Sequence, residues 1–165
     1  MKHALVLSLS TGLARPCSVL SFPVPREYQR IRDDLYGFLE TARDKADVET
    51  THRSYTMCQS VFQVFRRRLS ARDAIRFAKT LPAGIRALFV ADWEDVDIHD
   101  TARGLDFSSR QELTKEVKRL RANHNFAPDT AIADVAYSLR RYVDEAKFDQ
   151  VLDELGEEAQ EFWKV

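Results

Sequence analysis

An apolar pattern at helical spacing occurs twice in this chain, 74 positions apart, and it restricts the possible folds more than any other feature. The first copy covers residues 69–89 and the second covers residues 143–163. Seven positions on one helix face are apolar in both copies; the pairs are Ala74 with Phe148, Phe77 with Val151, Ala78 with Leu152, Leu81 with Leu155, Ile85 with Ala159, Leu88 with Phe162 and Phe89 with Trp163. Because 44% of the residues are hydrophobic, seven matches at a given offset arise by chance roughly once in three hundred. The chain is therefore predicted to hold two related helical units in tandem.

The same offset also aligns the segment that precedes each copy. Five more apolar positions correspond: Cys58 with Ile132, Val61 with Val135, Phe62 with Ala136, Phe65 with Leu139 and Leu69 with Val143. The competing interpretation is that any two amphipathic helices resemble each other, but the shared order of a long, a medium and a short helix favours duplication. A low content of Gly and Pro, five of each, favours helices over sheets. We expect an all-α fold in which two units of three to four helices pack as one compact domain.

Helix caps and breakers divide the chain into four predicted segments. These are an N-terminal extension at residues 1–25, a first helical unit at 26–90, an acidic connector at 91–107 and a second helical unit at 108–165. In the first unit we expect helices at residues 26–43, 50–68, 70–80 and 82–89. Thr50 or Thr51 caps the second of these, Ser70 with Asp73 forms a capping box for the third, and Pro82 suits the first turn of the fourth.

The second unit carries similar signals. Ser108 with Gln111, or Ser109 with Glu112, offers a cap for its first helix, whose apolar residues are Leu113, Val117 and Leu120. Asn123 and Asn125 mark a turn. Pro128 is expected in the first turn of the next helix, which ends near Tyr142. Asp144 caps the copy of the 69–89 pattern, and Gly156 breaks that copy where Pro82 breaks the first.

Residues 1–25 differ in character from the rest, with few charges and a closing Pro-x-Pro, so we expect a disordered or poorly ordered extension. A short apolar run after Lys2 resembles the start of a signal peptide, but Arg15 and Pro16 stand where small residues should precede a cleavage point. No run of about 18 apolar residues is present, so we expect no membrane span. Two distant cysteines, Cys17 and Cys58, predict a reducing cytoplasmic location rather than a disulfide framework.

Charge is distributed unevenly although the whole chain has a net charge of −1. Residues 26–90 carry a net charge of +5, residues 91–104 carry −4, and residues 105–165 carry −4. Opposite charges on two units favour attraction between the units or between neighbouring copies of the chain. A dedicated site for a polyanion on the basic unit is the alternative interpretation.

Several motifs resemble a known bacterial family, the domain of unknown function 2267. The matching motifs are Leu81-Pro82, the following Ile85-Arg86-Ala87-Leu88-Phe89, Asp92-Trp93 and the closing Phe162-Trp163. The resemblance covers about residues 26–165 and implies a compact all-helical fold of two related units. It implies no activity, and no functional residue carries over. Gly156 departs from the pattern, because a Leu-Pro pair is expected there.

An arginine-rich segment is the strongest candidate for a binding site. Its candidate anion-binding residues are Arg66, Arg67, Arg72, Arg76 and Lys79. A guanidinium group donates in a planar fork that matches a phosphate edge. Against this, consecutive helical residues point about 100° apart, so Arg66, Arg67 and Arg68 cannot all face one ligand. Basic residues at a helix end also interact favourably with the helix dipole, and no base-stacking aromatic signature accompanies them.

The remaining polar residues predict neither a metal site nor a catalytic site. An EF-hand starting at Asp95 fails, because its sixth position is Asp100 rather than Gly and its twelfth is Asp106 rather than Glu. The connector is expected to be a solvated loop, with Trp93 folded back onto the protein as an anchor. No histidine has the spacing of a metal ligand, and Cys58 occupies an apolar helix position where a thiol is inert. We therefore expect no cofactor.

These observations favour a non-catalytic protein-interaction or self-association module, whose partner is another protein or a second copy of the chain. The second hypothesis is weak polyanion or nucleic-acid binding through the basic face of the first unit, which requires strongly salt-dependent affinity. An enzyme with a site assembled between the units is the third and least favoured hypothesis, since local motifs for it are absent.

Overall fold

The computed structural model describes residues 25–93, 105–120 and 127–165, and these ranges contain helices and no strand. The predicted all-α class is therefore confirmed. The described helices, numbered in chain order, are α1 (Arg26–Gln29), α2 (Ile31–Lys45), α3 (Thr51–Arg66), α4 (Ala71–Ala78), α5 (Ala83–Val90), α6 (Arg110–Arg119), α7 (Ala131–Arg140), α8 (Glu145–Leu155) and α9 (Glu157–Phe162).

Four side-chain caps begin helices where the sequence predicts them. The hydroxyl of Thr50 accepts a hydrogen bond from the Arg53 amide at 3.2 Å, so Thr50 rather than Thr51 caps α3. Ser70 accepts from the Asp73 amide at 3.1 Å, and the Asp144 carboxylate accepts from the Lys147 amide at 3.2 Å. At the start of α6 the cap is Ser109. Each cap satisfies an amide that the first helical turn leaves without a backbone partner.

Two predicted boundaries are wrong. The single helix expected at residues 26–43 is divided at Arg30 into α1 and α2. Pro128 does not lie in the first turn of α7; its carbonyl accepts a hydrogen bond from the Ala131 amide at 3.1 Å, in a turn that precedes the helix. Thr130 is the N-cap residue instead. Asn123 and Asn125 lie outside the described residues.

The twelve apolar pairs related by the offset of 74 have closely matched environments. All twelve residues of the first copy are buried, and nine of the second copy are buried. The other three, Val143, Val151 and Leu155, are half-buried and pack against the core. The order of helices also corresponds, since α3, α4 and α5 match α7, α8 and α9. Both copies therefore bury the same helix face, as the period of their apolar residues predicts.

The helices of the two sequence units share one core rather than forming separate ones. Helix α2 packs against α3 and α5, and also against α7 of the second unit. Helix α3 contacts α6 and α7, while α4 contacts α8. One continuous cluster of buried apolar side chains runs through both units. The division at residues 26–90 and 108–165 thus stays a prediction about the sequence, and the packing does not separate these segments in space.

An aromatic cluster lies at the centre of this shared core. Trp163, next to the end of α9, is completely buried, and its ring stacks on Phe77 of α4 with centroids 5.5 Å apart. Its centroid also lies 5.2 Å from that of Phe65 and 5.9 Å from that of Phe62, both on α3. Aromatic pairs at such separations add to the free energy gained from burial. Trp163 of the second unit therefore packs between helices of the first unit.

Gly84 permits the close approach of α5 to α2. A Cβ atom at this position would lie 2.9 Å from the carbonyl oxygen of Ile31 and 3.1 Å from Cβ of Leu35. The first contact is with backbone, which cannot move without shifting a helix. We expect Gly84→Ala to lower the free energy of unfolding by about 1–3 kcal/mol, measured by urea denaturation.

Gly37→Ala is the matched control, because Gly37 is also helical. Its added Cβ would meet the hydroxyl end of the Tyr142 side chain at 2.4 Å, and a side-chain end can swing away. The higher helix propensity of alanine offsets part of that cost. A Gly84→Ala protein as stable as wild type would contradict the close packing of α5 on α2.

Candidate functional site

Arg66 belongs to the interior of the protein. It is the last residue of α3 and only 3% exposed. Its Nη1 atom donates hydrogen bonds to the carbonyl oxygens of Phe89 at 2.6 Å and Ala91 at 3.0 Å, and Nη2 donates to the carbonyl of Asp92 at 3.3 Å. These carbonyls lie at and beyond the C-terminal end of α5, where the helix dipole is negative. From the interior of the protein, Arg66 therefore caps the C-terminal end of α5.

The segment after α5 encloses the same guanidinium group. Trp93 is half-buried, with its ring centroid 4.8 Å from Cζ of Arg66 and 6.4 Å from the centroid of Phe89. Asp92 has a positive φ of 53°, a conformation that Asp tolerates better than most residues. Its carboxylate accepts a hydrogen bond from Nε2 of Gln59 at 2.7 Å. The prediction that Trp93 folds back as an anchor is confirmed.

Arg67 and Arg68 both contact Glu116 on α6. Nη2 of Arg68 donates to one carboxylate oxygen at 2.6 Å, and Nη1 of Arg67 donates to the other at 3.3 Å. The Arg68 side chain is buried, and its Nη1 also donates to the Val64 carbonyl at 2.6 Å. Glu116 of the second unit thus forms ion pairs with two arginines of the first unit. Opposite charges on the two units do meet at this contact, inside one molecule.

The other three candidate anion-binding residues share an exposed surface of α4. Arg72 and Lys79 are exposed and Arg76 is half-exposed. Arg76 bridges to Glu154 on α8 and to Asp73, whose Oδ1 lies 3.4 Å from Nη1. A shallow groove of about 300 Å³ between α4 and α8 is lined by Arg76, Lys79 and Lys147, among others. The structure therefore brings Arg72, Arg76 and Lys79 together and places Arg66 and Arg67 elsewhere.

An acidic surface lies on α8 and α9, and the sequence reasoning missed it. Asp149, Asp153, Glu157 and Glu161 line an open depression of about 470 Å³ that has Leu152 among its lining residues. At its margins Arg140 pairs with Asp149 at 2.9 Å and Lys164 pairs with Glu161 at 3.2 Å. The spacing of four residues within each pair was the available signal, because Asp149 and Asp153 lie on one face of α8 and Glu157 and Glu161 lie on one face of α9.

Comparison with protein families decides the classification of the chain. Residues 36–162 match the family described as uncharacterized conserved protein, DUF2267. The chain belongs to the DUF2267 family. The matched stretch begins within α2 and ends at the last residue of α9, so the DUF2267 match includes helices of both units and their shared core. No curated protein matches the chain.

The other sequence-predicted groups of this DUF2267 protein offer no assembled reaction site in the part of the chain that the structure describes. Cys58 is completely buried, and burial raises the pKa of its thiol far above the ordinary value, which disfavours the nucleophilic thiolate. Residues 25–93, 105–120 and 127–165 contain no group of three or more His, Cys, Asp or Glu arranged to hold a metal ion. No helix within these ranges is long and apolar enough to cross a membrane. The acidic connector residues 94–104 lie outside the described residues.

Proposed function

We propose that this DUF2267 protein is a non-catalytic helical module that associates with itself through oppositely charged surfaces. The observation that carries the proposal is the separation of charge between two exposed helix surfaces. Arg72 and Lys79 mark the basic surface of α4, and Asp153 and Glu157 mark the acidic surface of α8 and α9. All four side chains are exposed, and no ion pair joins any of them to another described residue.

Complementary surfaces of this kind attract copies of one protein when salt is low. Ions screen exposed charges over about 30 Å at 0.01 M salt but over only about 3 Å at 1 M. The free thiol of Cys58 supports placing this module in a reducing cytoplasm.

The test is the apparent mass of the purified protein as a function of salt, measured by light scattering or sedimentation. At about 0.01–0.05 M salt we expect an average mass above the monomer value of 19.0 kDa. Near 1 M salt the mass should fall to that of the monomer, because the surface charges are screened. A protein that is monomeric throughout, or an oligomer that salt does not affect, would contradict electrostatic self-association.

Weak polyanion or nucleic-acid binding is the second candidate function. It is supported by the grouping of Arg72, Arg76 and Lys79 on α4, beside the groove that Lys147 also lines. The two functions differ in their dependence on the acidic surface. Neutralising Asp153 and Glu157 should leave or increase the affinity for a labelled oligonucleotide, whereas it should weaken self-association. No binding of an oligonucleotide at low salt would exclude this candidate.

A further inference from the structure

We propose that copies of this protein join head to tail, with the α4 surface of one molecule against the α8–α9 surface of the next. This inference rests on the proposed self-association and names the surfaces that make the contact. Two surfaces that differ from each other form a heterologous contact, which produces chains or rings rather than a closed two-fold dimer.

The α4 surface has an apolar centre between positive charges. Arg72, Ile75 and Lys79 are spaced by three and four residues, so they lie along one side of the helix. Ile75 is 56% exposed, while Ala74, Phe77 and Ala78 bury the opposite side. A large exposed aliphatic side chain between charged groups resembles a small interface, which has an apolar centre and a polar rim.

The α8–α9 surface complements this arrangement. Its open depression of about 470 Å³ is lined mainly by charged side chains, four of them carboxylates, while Leu152 among its lining residues is only 2% exposed. Arg140 and Lys164 pair with Asp149 and Glu161 at its margins, so these two acids are partly neutralised.

Asp153 and Glu157 differ from these two acids, because neither forms an ion pair with any described residue. Two carboxylates that no described residue neutralises can receive two cations that likewise lack a described partner and that flank an apolar side chain. The α4 surface of a second copy supplies that combination in Arg72, Ile75 and Lys79.

Within the described residues, no ion pair joins Arg72 or Lys79 to Asp153 or Glu157 of the same molecule. Helix α4 packs against α8, but α8 presents different residues to the α4 side and to the depression. Glu154 reaches Arg76, and Lys147, Gln150 and Val151 line the α4–α8 groove, whereas Asp149 and Asp153 line the depression. The charges on each surface that no described residue pairs are therefore available to a second copy.

Two variants test the assignment. The basic-surface variant is Arg72→Glu/Lys79→Glu, and the acidic-surface variant is Asp153→Asn/Glu157→Gln. Each should lower the self-association constant by about tenfold at low salt, because each removes two opposite-charge contacts. Asn and Gln are chosen over Lys so that the two altered surfaces cannot attract each other.

An equimolar mixture of the two variants gives the decisive result. The basic-surface variant keeps an intact acidic surface, and the acidic-surface variant keeps an intact α4 surface. Only one wild-type contact can form per pair, so the mixture should stop at a dimer while wild type continues to larger species. Sedimentation velocity distinguishes these outcomes. All four substituted side chains are exposed, and circular dichroism melting curves verify that each variant is folded.

Lys115→Glu/Arg119→Glu is the control for the basic-surface variant. It makes the same change in net charge as that variant, at two exposed residues of α6. It should self-associate as wild type does. Variants that each associate like wild type, a mixture that stays monomeric, or an equal loss in the α6 control would overturn the head-to-tail assignment while self-association itself stands. A wild-type protein that is monomeric at low salt would overturn both.

Discussion

Replacing Trp163 by alanine is expected to lower the free energy of unfolding by about 3–5 kcal/mol, the range typical of removing a buried aromatic side chain. Trp163 is completely buried, and its ring contacts those of Phe62, Phe77 and Phe148 on three different helices. Its removal leaves a cavity where these helices meet. Urea denaturation followed by circular dichroism measures the loss.

Two further variants separate the effect of packing from other effects. Trp163→Phe keeps a ring in the cluster and removes the indole Nε1–H, which is buried and has no hydrogen-bond partner in the described part of the chain, so it should cost less than Trp163→Ala. Val165→Ala, at a residue that is 62% exposed, should change stability by less than about 0.5 kcal/mol. A Trp163→Ala protein within about 1 kcal/mol of wild type would contradict the central position of the indole.

Arg66→Ala is expected to lower the free energy of unfolding by about 2–4 kcal/mol, because it removes charged hydrogen-bond donors from one buried and two partly buried carbonyl acceptors. The carbonyls of Phe89, Ala91 and Asp92 all accept from the Arg66 guanidinium. Arg66→Lys keeps the charge but replaces the planar fork with a single ammonium group, so it should restore only part of the loss. Chemical denaturation again gives the values.

The adjacent arginine provides the control for this experiment. Arg67 is partly exposed and donates one long hydrogen bond, 3.3 Å, to Glu116. Arg67→Ala should therefore cost less than about 1 kcal/mol, because solvent reaches both partners of this ion pair. Equal losses at Arg66 and Arg67 would show that general positive charge, rather than the cap on α5, is what stabilises this end of α3.

Local features of this fold follow from sequence because their causes are local. The hydrogen bonds that begin α3, α4, α6 and α8 join residues three apart, and a short window of sequence contains both partners. Buried helix faces also follow, since a period of 3.6 residues determines which side chains share a face. The burial of the apolar pairs related by the offset of 74 could be predicted from that period alone.

The roles of the arginines could not be predicted in the same way. Arg66 donates to a carbonyl 23 residues away and Arg68 to a carboxylate 48 residues away. A backbone carbonyl has no sequence signature, because every residue carries one. The sequence showed a cluster of positive charge. Which of these arginines are buried depends on how α3 packs against α5 and α6. Arg72 and Lys79 remain at the surface because the opposite side of α4 carries the apolar residues.

The interleaving of the two units also depends on long-range packing. A matched pair of apolar patterns fits two separate lobes as well as one fused core, because each pattern specifies only that a face is buried. The contact of α2 with α7 and the insertion of Trp163 among aromatic rings of the first unit distinguish these arrangements. Both units therefore stabilise each other through that shared core.

Native-state hydrogen exchange of the Trp163→Ala variant tests this claim most directly. If the core is shared, amides of α3 and α4 should lose as much protection as amides of α7 and α8, because protection by global unfolding falls uniformly when global stability falls. Protection lost only in α8 and α9, with α3 and α4 unchanged from wild type, would contradict it.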